Sequence, residues 1–127
     1  MISGIVLTHG PIAPAIIDAA GAIVGDAEKI FSLSTSGFSL RSIVENLETL
    51  IISEKMDQGV IIMTSLKGGS CWNSAVTVSK KFSYVKVVSG VNLNMFISFI
   101  TKRDQFELNE LTEIIIVDAI KGIDRSK

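Results

Sequence analysis

The sequence has very few of the residues that build metal sites and disulfides. Among its 127 residues there is one cysteine, Cys71, and one histidine, His9. A disulfide within the chain is therefore excluded, and so is any zinc site that needs several cysteine or histidine ligands. We expect neither a metal nor a cofactor, and at this length we expect one domain over residues 1–127.

Membrane-spanning and exported proteins also have features that this sequence lacks. The longest stretch without Asp, Glu, Lys or Arg, Met1 to Ile17, is interrupted by Thr8, His9 and two prolines, so it is no spanning helix. No basic region followed by an apolar run opens the chain, as a secretory signal would require. We therefore expect a cytoplasmic protein with no segment inserted in a membrane.

Short apolar runs alternate along the chain with segments of helical periodicity. The runs typical of buried strands are Ile2–Leu7, Lys29–Ser34, Gly59–Met63 and Tyr84–Val88. Three segments typical of helices are Ile12–Val24, Leu93–Thr101 and Glu107–Gly122. A fourth is capped by Ser39 and runs to about Glu54, and a fifth is capped by Ser70 or a near neighbour and runs toward Phe82. The segment Glu107–Gly122 contains the β-branched run Ile114–Val117, which is equally compatible with a strand.

This alternation predicts an α/β fold in which a doubly wound, mainly parallel sheet of four or five strands carries helices on both faces. Ligands of such folds bind outside the carboxyl ends of the strands, near the point where strand order reverses. The loops after the first, third and fourth strands are therefore the places to look. They comprise Thr8–Pro11, Thr64–Ser70 and Ser89–Asn94.

Two of these loops contain residues with suitable chemistry. His9 is either an ordinary turn histidine or a functional group, that is, a nucleophile or an acid-base group. Neutral imidazole is nucleophilic near neutral pH without special tuning. In the second loop, Gly68 and Gly69 allow backbone amides to approach an anion, and Ser70 adds a hydroxyl at the start of a helix. A glycine pair before a helix also occurs for purely steric reasons. No nucleotide-binding glycine motif is present.

Cys71 stands at the predicted start of the third helix, where the helix dipole can activate a thiol. A dyad of Cys71 with His9 is conceivable, but buried structural cysteines are commoner. Ser70 does not lie in the Gly-x-Ser-x-Gly motif of serine hydrolases.

The net charge of −1 hides an uneven distribution. Residues 58–103 contain six bases and no acid, whereas the remainder contains 13 acids and 6 bases. One interpretation is a positive potential at the carboxyl edge of the sheet, and the other is a set of solvated lysines scattered over several sides. Because no aromatic-basic interleaving is present, we expect no nucleic-acid partner.

Four ordered segments resemble the enzyme IIA components of the mannose family of the bacterial phosphoenolpyruvate-dependent sugar phosphotransferase system. Gly4–Gly10 is similar to the family's first strand ending in Ser/Thr-His-Gly, and Ala19–Gly25 to the end of its first helix. Thr64–Ser70 is similar to the Thr-Asp-Leu-Phe-Gly-Gly-Ser loop, and Ser89–Met95 to Thr-Gly-Val-Asn-Leu-Pro-Met. The resemblance spans nearly the whole chain.

The resemblance implies a phosphotransferase that works through a phosphohistidine. His9 would accept a phosphoryl group from the carrier protein HPr and pass it to a IIB component. Backbone amides of the Gly68-Gly69 turn and the hydroxyl of Ser70 would surround the phosphoryl group. Lys67, which departs from the family pattern, either stabilises the phosphoryl group or simply disfavours protonated His9. The resemblance also implies a homodimer and a role in sugar transport.

The sequence departs from the family pattern at several site positions. Ser65 replaces the aspartate that orients the histidine in the family, Lys67 replaces an aromatic residue, and Cys71 and Asn94 each replace a proline. Ser65 can accept a hydrogen bond but supplies no charge, so we expect a weaker orienting group there. The alternative function is a divergent regulatory or anion-binding module that transfers phosphate poorly or not at all.

Overall fold

Strands and helices alternate through most of the chain in the computed structural model, which describes residues 1–127. The strands are β1 (Ser3–Thr8), β2 (Ile30–Ser34), β3 (Val60–Thr64) and β4 (Val85–Val88). The helices are α1 (Ile12–Val24), α2 (Leu40–Ser53), α3 (Ser70–Ser79), α4 (Leu93–Lys102) and α5 (Leu108–Lys121). Every predicted element is present, and α1 covers the predicted residues. The largest difference is that α3 ends at Ser79, short of Phe82.

The four strands form one parallel sheet in the order β2-β1-β3-β4. The two central strands β1 and β3 are buried at every residue, which explains why their sequences are continuous rather than alternating apolar runs. This confirms the predicted doubly wound α/β fold and fixes the number of strands at four.

The helices divide between the two faces of the sheet. Side chains from alternate strand positions, such as Val6 and Met63, pack with α1, α4 and α5 in one core cluster. The intervening positions, such as Ile5 and Ile62, pack with α2 and α3 in the other. Because successive strand residues point to opposite faces, each buried strand contributes to both cores.

The β-branched run near the end of the chain is helical. Leu111, Ile115 and Ala119 recur every four residues along α5 and are buried against the rest of the first core. The apolar stripe at helical spacing therefore decides the structure, because packing against α4 outweighs the modest strand preference of isoleucine and valine. None of the five helices is both long enough and apolar enough to cross a membrane.

The two loops that carry the predicted site residues leave neighbouring parallel strands, β1 and β3, at the carboxyl edge of the sheet. From β1 the chain continues into α1 on one face, whereas from β3 it continues into α3 on the other face. The loops that leave these strands therefore diverge, as at the switch point of other doubly wound folds. His9 lies on one side of this point and Ser70 on the other.

Candidate functional site

The loop that carries His9 is held by hydrogen bonds on both sides of the histidine. The backbone N–H of Ala13 donates to Thr8 Oγ1 at 2.9 Å, which satisfies one free amide at the start of α1. The backbone N–H of Gly10 donates to Ser36 Oγ at 3.0 Å, and its φ of 57° lies in the region that favours glycine. The His9 side chain is therefore exposed on a short, anchored turn.

The loop after β3 is anchored at its beginning and turns sharply near its end. Thr64 Oγ1 donates to the backbone carbonyl of Val88 at 2.9 Å, and the backbone N–H of Val91 donates to the carbonyl of Thr64 at 3.0 Å. Gly68 has a φ of +86°, a conformation that side-chain-bearing residues rarely adopt. This turn brings the first residue of α3 to the edge of the sheet.

Ser70 is the first residue of α3, and the predicted capping role belongs to Gly69 instead. No side chain caps this helix, so the Ser70 hydroxyl is not committed to the helix end. Its oxygen lies 3.1 Å from Nε2 of His9. The two residues that the resemblance predicts to act together are thus in hydrogen-bonding contact.

The opposite nitrogen of the imidazole faces a buried sulfur. Cys71 Sγ lies 3.6 Å from His9 Nδ1 and 3.5 Å from Thr35 Oγ1. Cys71 is 1% exposed and Thr35 is 5% exposed. The side chains of Cys71 and His9, whose dyad the sequence left as a remote alternative, are therefore in contact.

Thr35 is the site residue that sequence reasoning missed. It follows β2 directly, and β2 ends at the same edge of the sheet as β1 because the two strands are parallel and paired. Knowledge of the strand order would have pointed to Thr35. The sequence, however, does not reveal that β2 is the neighbour of β1.

Three backbone amides at the start of α3 have no hydrogen-bond partner in the protein. They belong to Ser70, Cys71 and Trp72, whereas the next amide, that of Asn73, donates to the carbonyl of Gly69 at 2.9 Å. Free amides at a helix N-terminus carry the positive end of the helix dipole and bind anions. This anion-binding end of α3 lies beside the Nε2 face of His9.

The remaining predicted residues have different surroundings. Lys67 is exposed and forms no ion pair, so its charge is free in the loop after β3. Ser65 is half-buried, and its side chain makes no hydrogen bond to His9 or to any other group. In the third loop, Asn92 Oδ1 accepts from the amide of Met95 at 2.8 Å and caps α4. Its Nδ2 donates to the carbonyl of Ala119 at 3.1 Å, so this loop has a structural role.

The basic stretch does not create a positive carboxyl edge. Lys81 pairs with Glu48, and Lys102 pairs with Asp118. Arg103 is buried and donates to the backbone carbonyls of Ile2 and Glu28, near the beginning of β1 and therefore at the opposite edge of the sheet. The basic residues of this stretch are thus scattered over the protein, and only Lys67 among them lies in a site loop.

The geometry gives His9 two unlike environments. Nε2 faces the exposed side, with a hydroxyl and free amides that suit an anion, whereas Nδ1 faces a buried sulfur. No carboxylate contacts the ring. Such an arrangement can present Nε2 as a nucleophile to a phosphoryl group and stabilise the negative charge that the group brings.

Comparison with known proteins identifies the family. The family described as "PTS system fructose IIA component", the mannose-type IIA family, matches residues 3–116. The sorbose-specific EIIA component of the phosphotransferase system of Klebsiella pneumoniae is 25% identical over 113 residues, which are 89% of this chain and 83% of that protein.

Solved structures agree with this assignment. The phosphotransferase system component EIIA of Streptococcus agalactiae superposes with a TM-score of 0.90 at 26% identity, covering 98% of this chain and 97% of that one. The mannose/sorbose-specific IIA subunit of Enterococcus faecalis shares the fold, with a TM-score of 0.85 at 22% identity over 99% and 95% of the two chains. The matched segment includes the His9 loop, the loop after β3 and all four strands. The chain therefore belongs to the mannose family of IIA components of the sugar phosphotransferase system.

Proposed function

We propose that His9 accepts a phosphoryl group on Nε2 from the phosphohistidine of HPr and passes it to a IIB protein. The observation that carries the proposal is the position of Nε2, which lies 3.1 Å from Ser70 Oγ and beside the free amides of α3. A nucleophile and an anion-binding helix end converge there from two different loops. This arrangement provides the positioning and charge stabilisation on which phosphoryl transfer chiefly depends.

In the proposed step, the lone pair of Nε2 attacks the phosphorus of the incoming phosphohistidine. The new N–P bond forms as the old one breaks, and the leaving imidazole of HPr keeps the electron pair of the broken bond. Transfer to the IIB protein repeats the exchange with phosphorylated His9 as the donor. Because similar bonds are made and broken, catalysis needs little acid-base chemistry and depends mainly on in-line positioning.

The loop after β3 supplies the groups that receive the phosphoryl oxygens. Ser70 donates its hydroxyl, and the free amides of α3 donate alongside it. Gly68 and Gly69 form the turn, and because they have no Cβ they leave the approach to these amides open. Lys67 adds an exposed positive charge in the same loop, where it can attract the anionic donor.

One observation favours the alternative of a regulatory or anion-binding module with weak transfer. No Asp or Glu side chain contacts His9, and none of the three loops contains one. A neutral surrounding stabilises the cationic phosphoimidazole less than a carboxylate would. The anion pocket persists in either case, so binding alone does not separate the two functions.

The deciding experiment is phosphorylation by the purified carrier system. The protein is incubated with phosphoenolpyruvate, enzyme I and HPr, and its intact mass is followed for an acid-labile adduct of one phosphoryl group. We expect the adduct on the wild type and none on His9→Ala. If the wild type stays unmodified while another IIA protein is phosphorylated in the same mixture, the transfer proposal is refuted.

The partners and the assembly are part of the same proposal. Phosphorylated protein mixed with IIB proteins of the mannose type should lose its adduct as the IIB protein gains one. We also propose a homodimer, as the family resemblance implies, and sedimentation equilibrium at several concentrations tests it directly. A monomer at every concentration would refute the dimer without affecting the transfer proposal.

A further inference from the structure

The side of His9 that does not receive phosphate has an arrangement that the family pattern does not predict. Where the family places an aspartate to orient the histidine, this chain has Ser65, whose side chain makes no hydrogen bond. The group that contacts Nδ1 is instead Cys71 Sγ, at 3.6 Å. In the family pattern this position is a proline, which has no polar side-chain atom.

The sulfur has a second polar neighbour and no access to solvent. Thr35 Oγ1 lies 3.5 Å from Sγ and has no other hydrogen-bond partner, and both residues are buried. His9, Cys71 and Thr35 thus form a row that runs from the exposed imidazole into the protein. A thiol can both donate and accept a hydrogen bond, so it can join the other two groups.

The proton of the neutral imidazole decides whether Nε2 can attack. A nitrogen that carries the proton has no lone pair in the ring plane, so attack by Nε2 requires the proton to reside on Nδ1. Free histidine in water prefers the proton on Nε2. The tautomer in a protein is set by the hydrogen bond that the other nitrogen makes, and only Cys71 Sγ is available to Nδ1 here.

We infer that Cys71, supported by Thr35, is the positioning residue of this site: Nδ1–H of His9 donates to Cys71 Sγ, and the Cys71 thiol donates to Thr35 Oγ1. This inference rests on the proposed transfer through His9. The row leaves the lone pair of Nε2 free toward Ser70 and the incoming phosphoryl group. The thiol thereby takes over, without a charge, the orienting task of the missing aspartate.

The test is long-range ¹H–¹⁵N NMR of the unphosphorylated protein, at a pH where His9 is neutral. The ¹⁵N shifts distinguish a protonated from an unprotonated ring nitrogen, and the chain has only one histidine to assign. We expect mainly the Nδ1–H tautomer in the wild type. A wild type that is mainly Nε2–H overturns the inference without any variant.

Variants then locate the cause. Cys71→Ala should shift the neutral ring to mainly Nε2–H, Thr35→Val should shift it partly in the same direction, and Cys71→Ser should keep more Nδ1–H than Cys71→Ala. Val78→Ala removes at least as much buried volume from α3 away from the ring, and should leave the tautomer unchanged. A shift caused by Ser65→Ala but not by Cys71→Ala would overturn the inference in favour of Ser65.

The rate of phosphorylation by phospho-HPr gives a second readout. Loss of a partner that orients a metal-ligating histidine costs about 10- to 100-fold, and we expect the effect of Cys71→Ala on the phosphorylation rate to lie in the same range. Cys71→Ser should recover part of the loss. Because the tautomer is measured without any phosphoryl donor, failure of the transfer proposal and failure of this inference are separate results.

Discussion

His9 Nε2 and Ser70 Oγ lie 3.1 Å apart although 61 residues separate them in the chain. The contact exists because β1 and β3 are adjacent and parallel, so that the residues just beyond their carboxyl ends share one edge of the sheet. It joins the nucleophile to the helix end that can stabilise the transferred charge.

Removal of the Ser70 hydroxyl should slow phosphorylation with little effect on folding. A hydrogen bond to a charged group contributes about 1.5–3 kcal/mol, so Ser70→Ala should lower the rate of phosphoryl transfer from HPr by about 10- to 100-fold. The matched control is Thr77→Ala, which removes an exposed hydroxyl further along α3. Equal rates for Ser70→Ala and Thr77→Ala would remove Ser70 from the site.

Lys67 should act through its charge in the exposed loop after β3. Lys67→Ala should reduce the rate by about two- to fivefold, because exposed charge interactions contribute no more than about 1 kcal/mol. The difference from wild type should diminish as salt concentration rises, since exposed charges are screened. Lys80→Ala provides the control, because Lys80 is an exposed lysine at the other end of α3. A salt-independent loss would contradict the charge interpretation.

A carboxylate restored after β3 should accelerate the reaction. Ser65→Asp should raise the rate of phosphorylation several-fold, because a negative charge near the ring favours the cationic imidazole that carries the phosphoryl group. Ser65→Asn has the same shape without the charge and should not accelerate it. An unchanged or lower rate for Ser65→Asp would mean that the site has been rebuilt around Lys67 and Cys71.

Arg103 should stabilise the fold at the edge of the sheet opposite the site. Its guanidinium donates to the carbonyls of Ile2 at 3.3 Å and Glu28 at 2.7 Å, and lies 5.6 Å from the centre of the Phe99 ring. Lysine cannot reproduce this planar fork. Arg103→Lys should lower the free energy of unfolding in urea by about 2 kcal/mol, whereas the exposed Arg41→Lys should not. Equal stability of both variants would exclude this role.

Asp118 should make stability depend on pH in the acid range. The hydrogen bond from Lys102, followed by that from Ser98 at 2.6 Å, holds the pKa of Asp118 below its usual value. A carboxylate whose folded pKa is lowered stabilises the protein at neutral pH, and this stabilisation is lost as pH falls through the folded pKa. The free energy of unfolding of Asp118→Asn in urea should therefore be lower than that of wild type at neutral pH, and the difference should shrink in acid. Asp57→Asn, at an exposed position without an ion pair, should show no such convergence. A pH-independent effect of Asp118→Asn would contradict the linkage.

The amino-acid sequence determined the elements and the type of sheet. Short continuous apolar runs such as Ile5–Leu7, ended by turn residues, predicted strands buried on both faces, and the helical spacing in Ile12–Val24 predicted α1. His9, the glycine pair and Ser70 were identifiable because their chemistry and their positions after strands are local properties. The last helix was ambiguous for the same reason, since its β-branched run is local while its packing on α4 is not.

Only the tertiary structure decided what surrounds the imidazole. The sequence pointed to Ser65 as the partner of His9, yet the side chain at Nδ1 is Cys71, backed by Thr35 from a third loop. The sequence also left open a positive potential at the carboxyl edge of the sheet. The structure does not support it, because two of the lysines form ion pairs and the arginine is buried elsewhere in the fold. Strand order and helix orientation bring distant residues together, and no local pattern encodes them. Sequence thus determined which chemistry is available, and the packing of β2, β1 and β3 determined which atoms meet.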